Sequence, residues 1–322
     1  MKGSIPPGTN ASATASAAAS ATASATTSAT PSVVVPAPGE EGRKPEAAVR
    51  NPLPAGGIAP GESNYAILVS YDGAGFCGWQ IQQNGESVQG RLEAALTTIL
   101  KVRARLTASG RTDAGVNALR QVANVFLPAG LDTERLRANL NGLAGPEISV
   151  KAIVPVSPGF HARHSSKGKH YQYRIFNRPY PSVFAHRHSW WIKRPLDLEA
   201  MRRAAAHLAG RHDFSAFRSS HCEAKHPLRE IRRLEMEFSG ASEGMVLIDL
   251  EADAFLQHMA RIIVGTLAAV GLGALAPDAL PGMLASKKRE NATVTAPAAG
   301  LHLMKVCYDL AEFPELRAFD EH

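Results

Sequence analysis

Cysteine is scarce in this chain of 322 residues. The three that occur, Cys77, Cys222 and Cys307, are widely spaced and odd in number, which argues against a disulfide framework and for a reducing compartment. Also missing is any apolar run approaching the roughly 20 residues that a bilayer-crossing helix needs, so a soluble protein is expected. The first 62 residues lack the continuous apolar core of a secretory signal, and their first arginine is Arg43, too late for an arginine-rich transit peptide. The expected location is therefore the cytoplasm. The same segment is short of bulky side chains: it is nearly all Ala, Ser and Thr from Gly8 to about Thr30, then rich in Pro, Gly and charge as far as Gly61. Such a composition cannot offset the entropy of ordering, and it predicts a disordered low-complexity extension over 1–62.

The formal charge is +6 and the sequence pI about 9.3. Lys2, Arg43, Lys44 and Arg50 in the extension are balanced there by Glu40, Glu41, Glu46 and Glu62, so the whole basic excess falls on the remainder. That makes polyanion binding a property to look for in the folded part.

The folded part is expected to begin near Asn64. An apolar run over 65–71 reads as a buried strand, ended by Asp72-Gly73. Val88, Leu92, Leu96, Ile99 and Leu100 recur at helical spacing behind Ser87, a candidate cap. A helix over 132–142 and strands over 105–109 and 121–127 complete a rhythm of the split βαβ kind. The second half repeats it, with strands over 171–177 and 189–193, a helix over 197–210, a hairpin of 231–238 and 245–250 turning across Gly240 and Gly244, a long helix over about 254–272 and a closing strand over 301–310. The fold class is α+β, with the boundary between halves near Ser165.

Between the strands at 105–109 and 121–127 lies Gly-Arg-Thr-Asp-Ala-Gly-Val, residues 110–116. It places a cation, a hydroxyl and a carboxylate side by side in a loop held by a sheet, where chemistry collects. An Asx-type turn is the plain alternative. A carboxylate beside an arginine can stay ionised when partly buried, which makes Asp113 a candidate nucleophile.

This loop resembles that of the tRNA pseudouridine synthase A (TruA) family. The resemblance continues in the same order through Phe76-Cys77-Gly78-Trp79-Gln80, Ser87-Val88-Gln89, Phe160-His161-Ala162-Arg163, Tyr171-Gln172-Tyr173-Arg174, His212-Asp213-Phe214 and the segment from Phe255 to Gly265, spanning about Asn64 to Leu310. It implies two similar α/β halves, 63–165 with the catalytic loop and 166–318. Their antiparallel sheets would join in one platform with helices on one side and a central basic cleft, in a homodimer.

It further implies an isomerase that converts uridine to pseudouridine at positions 38–40 of the tRNA anticodon stem-loop, extruding the target base to do so. Nothing is oxidised and no group is transferred, so no cofactor and no metal are expected. Asp113 matches the family's nucleophile, attacking either ring C6 or ribose C1′. Arg261 matches the arginine that pairs with that aspartate and keeps it charged, although an arginine flanking an apolar stripe ordinarily snorkels. Tyr171 matches the tyrosine that stacks on the target base and assists proton removal at C5.

Arg111 could pair with Asp113 or reach a phosphate. Arg163, Lys167 and Lys169 belong to the densest basic stretch, interleaved with aromatics as on an RNA surface. Trp79 or Phe76 could fill the space that an extruded base leaves, or both could belong to the core. Asn117 and Arg120 depart from the family's histidine and glycine, which puts in question how the loop meets RNA. His221, Cys222 and His226 suggest zinc, but no fourth ligand stands at standard spacing.

A non-catalytic RNA-binding protein on the same platform predicts the same basic and aromatic strands but gives no role to the carboxylate. An aspartate-nucleophile hydrolase or phosphotransferase would want a second acidic residue close to Asp113, and none lies within several positions.

Overall fold

The computed structural model describes residues 61–240 and 244–322, so nearly all of the 1–62 extension lies outside the described residues. Three side chains start helices by the same device. Ser87 caps α1 (Val88–Leu100) by accepting from the Gly90 N–H, Asp132 caps α2 (Thr133–Leu143) through Arg135, and Asp197 caps α3 (Leu198–Ala206) through Ala200. Each satisfies an orphan donor and contributes about 1 kcal/mol. Among the described residues two further helices are α4 (Met259–Gly271) and α5 (Leu280–Ser286).

Ten strands form one sheet. In chain order they are β1 (Glu62–Tyr71), β2 (Thr107–Ala108), β3 (Asn117–Pro128), β4 (Ile148–Val156), β5 (Ser166–Asn177), β6 (Trp190–Ile192), β7 (Gly210–Asp213), β8 (Leu228–Phe238), β9 (Met245–Ala252) and β10 (Leu301–Tyr308). The order across the sheet is β4-β1-β3-β10-β5-β9-β8-β7, with β2 on β3 and β6 on β5. Neighbours are antiparallel except β10 with β3 and β6 with β5, which run parallel. The last strand is thus inserted between the two groups of earlier strands, pairing His302 with Asn117 on one side and Gln172 on the other. That insertion brings the start of β3, where the 110–116 loop ends, beside the middle of β5.

Burial explains why some strands were easy to find in the sequence. β9 alternates, with Val246, Ile248, Leu250 and Ala252 buried and their neighbours half-exposed, as a strand covered on one face must. β1 is buried almost without interruption from Asn64 to Val69, as a strand covered on both faces is. β8 has the expected imperfect alternation, and its register shifts between Ile231 and Arg233, so a bulge brings the inward positions back into phase.

The helix expected over 254–272 starts only at Met259. His258 before it has φ +63°, a left-handed conformation that a continuous helix cannot contain. The apolar pattern runs through both segments because Phe255 and Leu256 also pack inward, so periodicity alone could not show the break. Among the described residues no helix is long and apolar enough to cross a membrane.

Candidate active site

The 110–116 loop is fixed from below by hydrogen bonds and from the side by close backbone approach. Thr112 is buried and its hydroxyl shares a 2.8 Å hydrogen bond with the Tyr71 hydroxyl. Gln121 donates to the Gly110 carbonyl at 3.0 Å and accepts from the Ser109 hydroxyl at 2.7 Å. Burial pushes the Tyr71 phenol up to about 12, against the lowering effect of its bonds to Thr112 and Gln121, so this network holds a neutral phenol. The neighbouring Trp79 N–H donates to the Thr112 carbonyl at 3.1 Å. At Gly78, φ is +102° and a Cβ would stand 2.5 Å from that same carbonyl, so the approach requires glycine.

Above this support stands Asp113, its side chain about a quarter exposed. Arg261 Nη1 lies 3.1 Å from Asp113 Oδ2, and Arg261 Nε donates to the Ala296 carbonyl at 2.8 Å. One planar guanidinium therefore spans the loop and the 292–297 segment, and its side chain is only 15% exposed. Arg261 does not snorkel to solvent. The Ala296 N–H donates in return to the Arg261 carbonyl at 3.1 Å, and α4 lies so close to this segment that a Cβ at Gly265 would meet the Val294 carbonyl oxygen at 1.9 Å.

His258, not singled out in the sequence, stands beside this pair. Its Nε2 is 3.5 Å from Asp113 Oδ2. Burial pushes the imidazole below its ordinary pKa; Asp113 pulls it up, while Arg261 and Arg289 push it down. The other non-glycine residues with positive φ among the described residues, Lys101 and Lys287, follow helices, where the left-handed conformation is ordinary. His258 precedes one, at a cost of about 1–3 kcal/mol that its surroundings must hold in place. Its position three residues before Arg261 was the one signal in the sequence.

Tyr171 is 7% exposed and packs edge-on against Phe255, with ring centroids 5.0 Å apart. Burial, with Tyr71 and Asp113 nearby, pushes its phenol far above the usual range, so it is neutral at physiological pH. Tyr173, on the same face, is fully buried and donates to the Pro297 carbonyl at 2.8 Å.

The basic residues divide. Lys169 is half-buried with its ammonium end against Gly110, and burial, together with Arg163 and Arg229, pushes its amine down to about 8. Arg111 is exposed and has no ion pair or hydrogen bond among the described residues, so the cation on Asp113 is Arg261 instead. Arg163 and Lys167 are exposed, the latter 3.9 Å from Glu312.

Several points that the sequence left open are placed by the structure. Trp79 and Phe76 are 2% and 4% exposed, the first packed on Tyr71 and the second beneath Arg91, so neither is free to enter an RNA helix. Both are core, where burying one aromatic contributes about 2–3 kcal/mol. Asn117 does not face a ligand either: it is buried, accepts from the Gly73 N–H at 2.9 Å and donates to the Ala299 carbonyl at 2.9 Å, tying three segments at the sheet's seam. Arg120 reaches the C-terminal segment, hydrogen-bonding the Phe319 carbonyl and lying 3.4 Å from Asp320. Among the described residues no three His, Cys, Asp or Glu side chains are grouped to hold a metal ion.

Sequence comparison sets this geometry among known proteins. The chain is 45% identical over 242 residues to tRNA pseudouridine synthase A of Myxococcus xanthus, covering 75% of this chain and 91% of that protein. It is 43% identical over 245 residues to the enzyme of the same name from Moorella thermoacetica, covering 75% and 98%. The chain belongs to the tRNA pseudouridine synthase A family. A 41% identical relative of that name from Methylobacterium radiotolerans covers 76% of this chain and 98% of its own length. The family model described as tRNA pseudouridine synthase matches residues 204–309, which include Arg261 and His258. Asp113 and Tyr171 lie outside that match.

Proposed function

We propose that this family member is a tRNA pseudouridine synthase that isomerises uridine at positions 38–40 of the anticodon stem-loop, with Asp113 as nucleophile. One observation carries the reading: Asp113 offers one oxygen to two basic side chains and keeps the other free. Arg261 and His258 both approach Oδ2, while Oδ1 has no side-chain partner among the described residues. A carboxylate anchored by one oxygen and open at the other is arranged to attack.

In the proposed reaction Oδ1 bonds to the substrate at ring C6 or ribose C1′. The bond from N1 to C1′ breaks, the uracil turns, and C5 bonds to C1′. The proton on C5 leaves, N1 gains one, and the aspartate is released, so product and substrate have the same atoms. Tyr171 stacks on the base, and its buried neutral phenol suits it to hydrogen bonding better than to proton abstraction. Lys169, Arg163, Lys167 and Arg111 meet the phosphate backbone, whose contacts offset the few kcal/mol needed to extrude a stacked base. We read the protein as a cytoplasmic homodimer with tRNA as its partner, as the family resemblance implies.

The test is purified protein incubated with unmodified tRNA, with modified positions mapped. Wild-type protein should form pseudouridine at positions 38–40. Asp113→Asn should lose on the order of 10⁴-fold or more in rate while tRNA affinity changes little, because the nucleophile contributes only to chemistry. A variant with wild-type turnover ends the nucleophile assignment. An inactive wild type that still binds tRNA favours the non-catalytic RNA-binding alternative.

A further inference from the structure

The proposed chemistry accounts for Asp113 and Arg261 but leaves a strained histidine beside them without a task. His258 has φ +63° at the first turn of α4, and its own carbonyl already accepts from the Ile262 N–H at 2.9 Å. The left-handed backbone is therefore not needed to end a helix, as it is at Lys101 and Lys287. It aims the side chain. The ring, about one-third exposed, stands with Nε2 3.5 Å from Asp113 Oδ2, on the oxygen that Arg261 also holds at 3.1 Å. Strain that persists at such a position is held by the surrounding structure and marks a functional constraint.

We propose that His258 is a positioning residue for Asp113: its imidazole and the Arg261 guanidinium close on Oδ2 from two directions, which fixes the carboxylate's rotation and presents Oδ1 to the substrate. This rests on the reading of Asp113 as the nucleophile. A terminal carboxylate torsion is broad, so a single hydrogen bond would leave the plane of the group poorly defined. Two groups on one oxygen define it, and angular error at an attacking atom is costly.

A pH signature follows. The charged groups facing the ring are Asp113 from the loop, Arg261 from α4 and Arg289 from the segment Arg289–Asn291. The ring is neutral at pH 7, because burial and the two arginines hold its pKa below the ordinary histidine value. Protonation at lower pH places a second full cation on the carboxylate and draws charge from the attacking oxygen. Activity should therefore fall in an acid limb that belongs to His258.

The experiment uses the full chain under single-turnover conditions with unmodified tRNA, across about pH 5 to 8.5. His258→Gly and His258→Asn both tolerate the left-handed backbone and remove the ring, whereas His258→Gln returns a neutral donor of comparable reach. Expected are rates reduced about 10- to 100-fold in the Gly and Asn variants with tRNA Kd within about twofold, most of the rate regained in the Gln variant, and a flattened acid limb in all three. Wild-type rates in the Gly or Asn variant, a loss carried wholly by Kd, or an unchanged acid limb in the Gln variant would each overturn the proposal. A wild-type enzyme inert on tRNA would remove the functional reading and this role together.

Discussion

Two sets of basic side chains stand near the 110–116 loop, and they are held in opposite ways. Arg261 and His258 are placed by backbone: one is locked between a carboxylate and the Ala296 carbonyl, the other is aimed by a left-handed residue. Arg111, Arg163 and Lys167 are exposed, and among the described residues their only side-chain ion pair is the 3.9 Å approach of Lys167 to Glu312. The first set can define the direction of one carboxylate oxygen. The second can follow a polyanion whose shape varies, which is what phosphate contacts require. Lys169 lies between the two, half-buried against Gly110 yet without a carboxylate partner among the described residues. The fixed groups should therefore govern rate, and the free cations affinity and its salt dependence.

The largest effect that separates the sets is expected at Arg261. Arg261→Met keeps the apolar stem and removes the fork, so Asp113 loses its nearest opposite charge and the 292–297 segment loses a hydrogen bond. Single-turnover rate should fall about 100-fold or more, with tRNA affinity little changed. Arg261→Lys keeps the charge but cannot span the carboxylate and the Ala296 carbonyl together, and should recover only part of the rate. If Arg261→Met instead weakened tRNA binding by the same factor, Arg261 would belong with the free cations.

The loop and its carboxylate were legible in the sequence because their residues are contiguous. The Ser87 cap was legible for the same reason, since it acts on an N–H group three residues away. The pair of Asp113 with Arg261 joins residues 148 positions apart, and no local pattern contains it; only the family resemblance suggested it. His258 was hidden by an apolar periodicity that continues through a break in the helix. Phe76 and Trp79 stayed open between base replacement and core because an aromatic in a glycine-spaced loop gives no sign of whether the loop folds onto the core or away from it. Asn117 and Arg120 sit close to the loop in sequence, but alternate strand positions and the inserted β10 turn one to the sheet's seam and the other to the C-terminal segment. Sequence proximity to Asp113 did not predict proximity in space.

An intermediate effect is expected at Lys169. Its amine is pushed down to about 8, so in the free protein it begins to lose its charge just above neutral pH. A phosphate beside it favours the charged form and raises that value in the complex. Binding then takes up a proton between the free and bound values, and tRNA affinity should fall as pH rises from about 8, by up to about tenfold per unit at most. Lys169→Met should bind more weakly at pH 7, show a salt slope smaller by about one, and lose much of the pH dependence. A variant with the wild-type pH profile would show that the lysine does not meet phosphate.

The smallest effect is expected at Lys167, and it is the sharpest check on the division. This side chain is exposed and its only ion pair among the described residues, with Glu312, is long and solvent-screened, so Lys167→Ala should change stability by no more than about 0.5 kcal/mol. Its contribution to tRNA is one flexible charge: a salt slope reduced by about one, affinity at physiological salt lowered only a few-fold, and single-turnover rate at saturating tRNA unchanged. The measurement is affinity against salt alongside rate at saturation. A rate loss comparable to that of Arg261→Met would mean that an exposed lysine helps direct the carboxylate after all, and the separation of fixed from free cations would have to be abandoned.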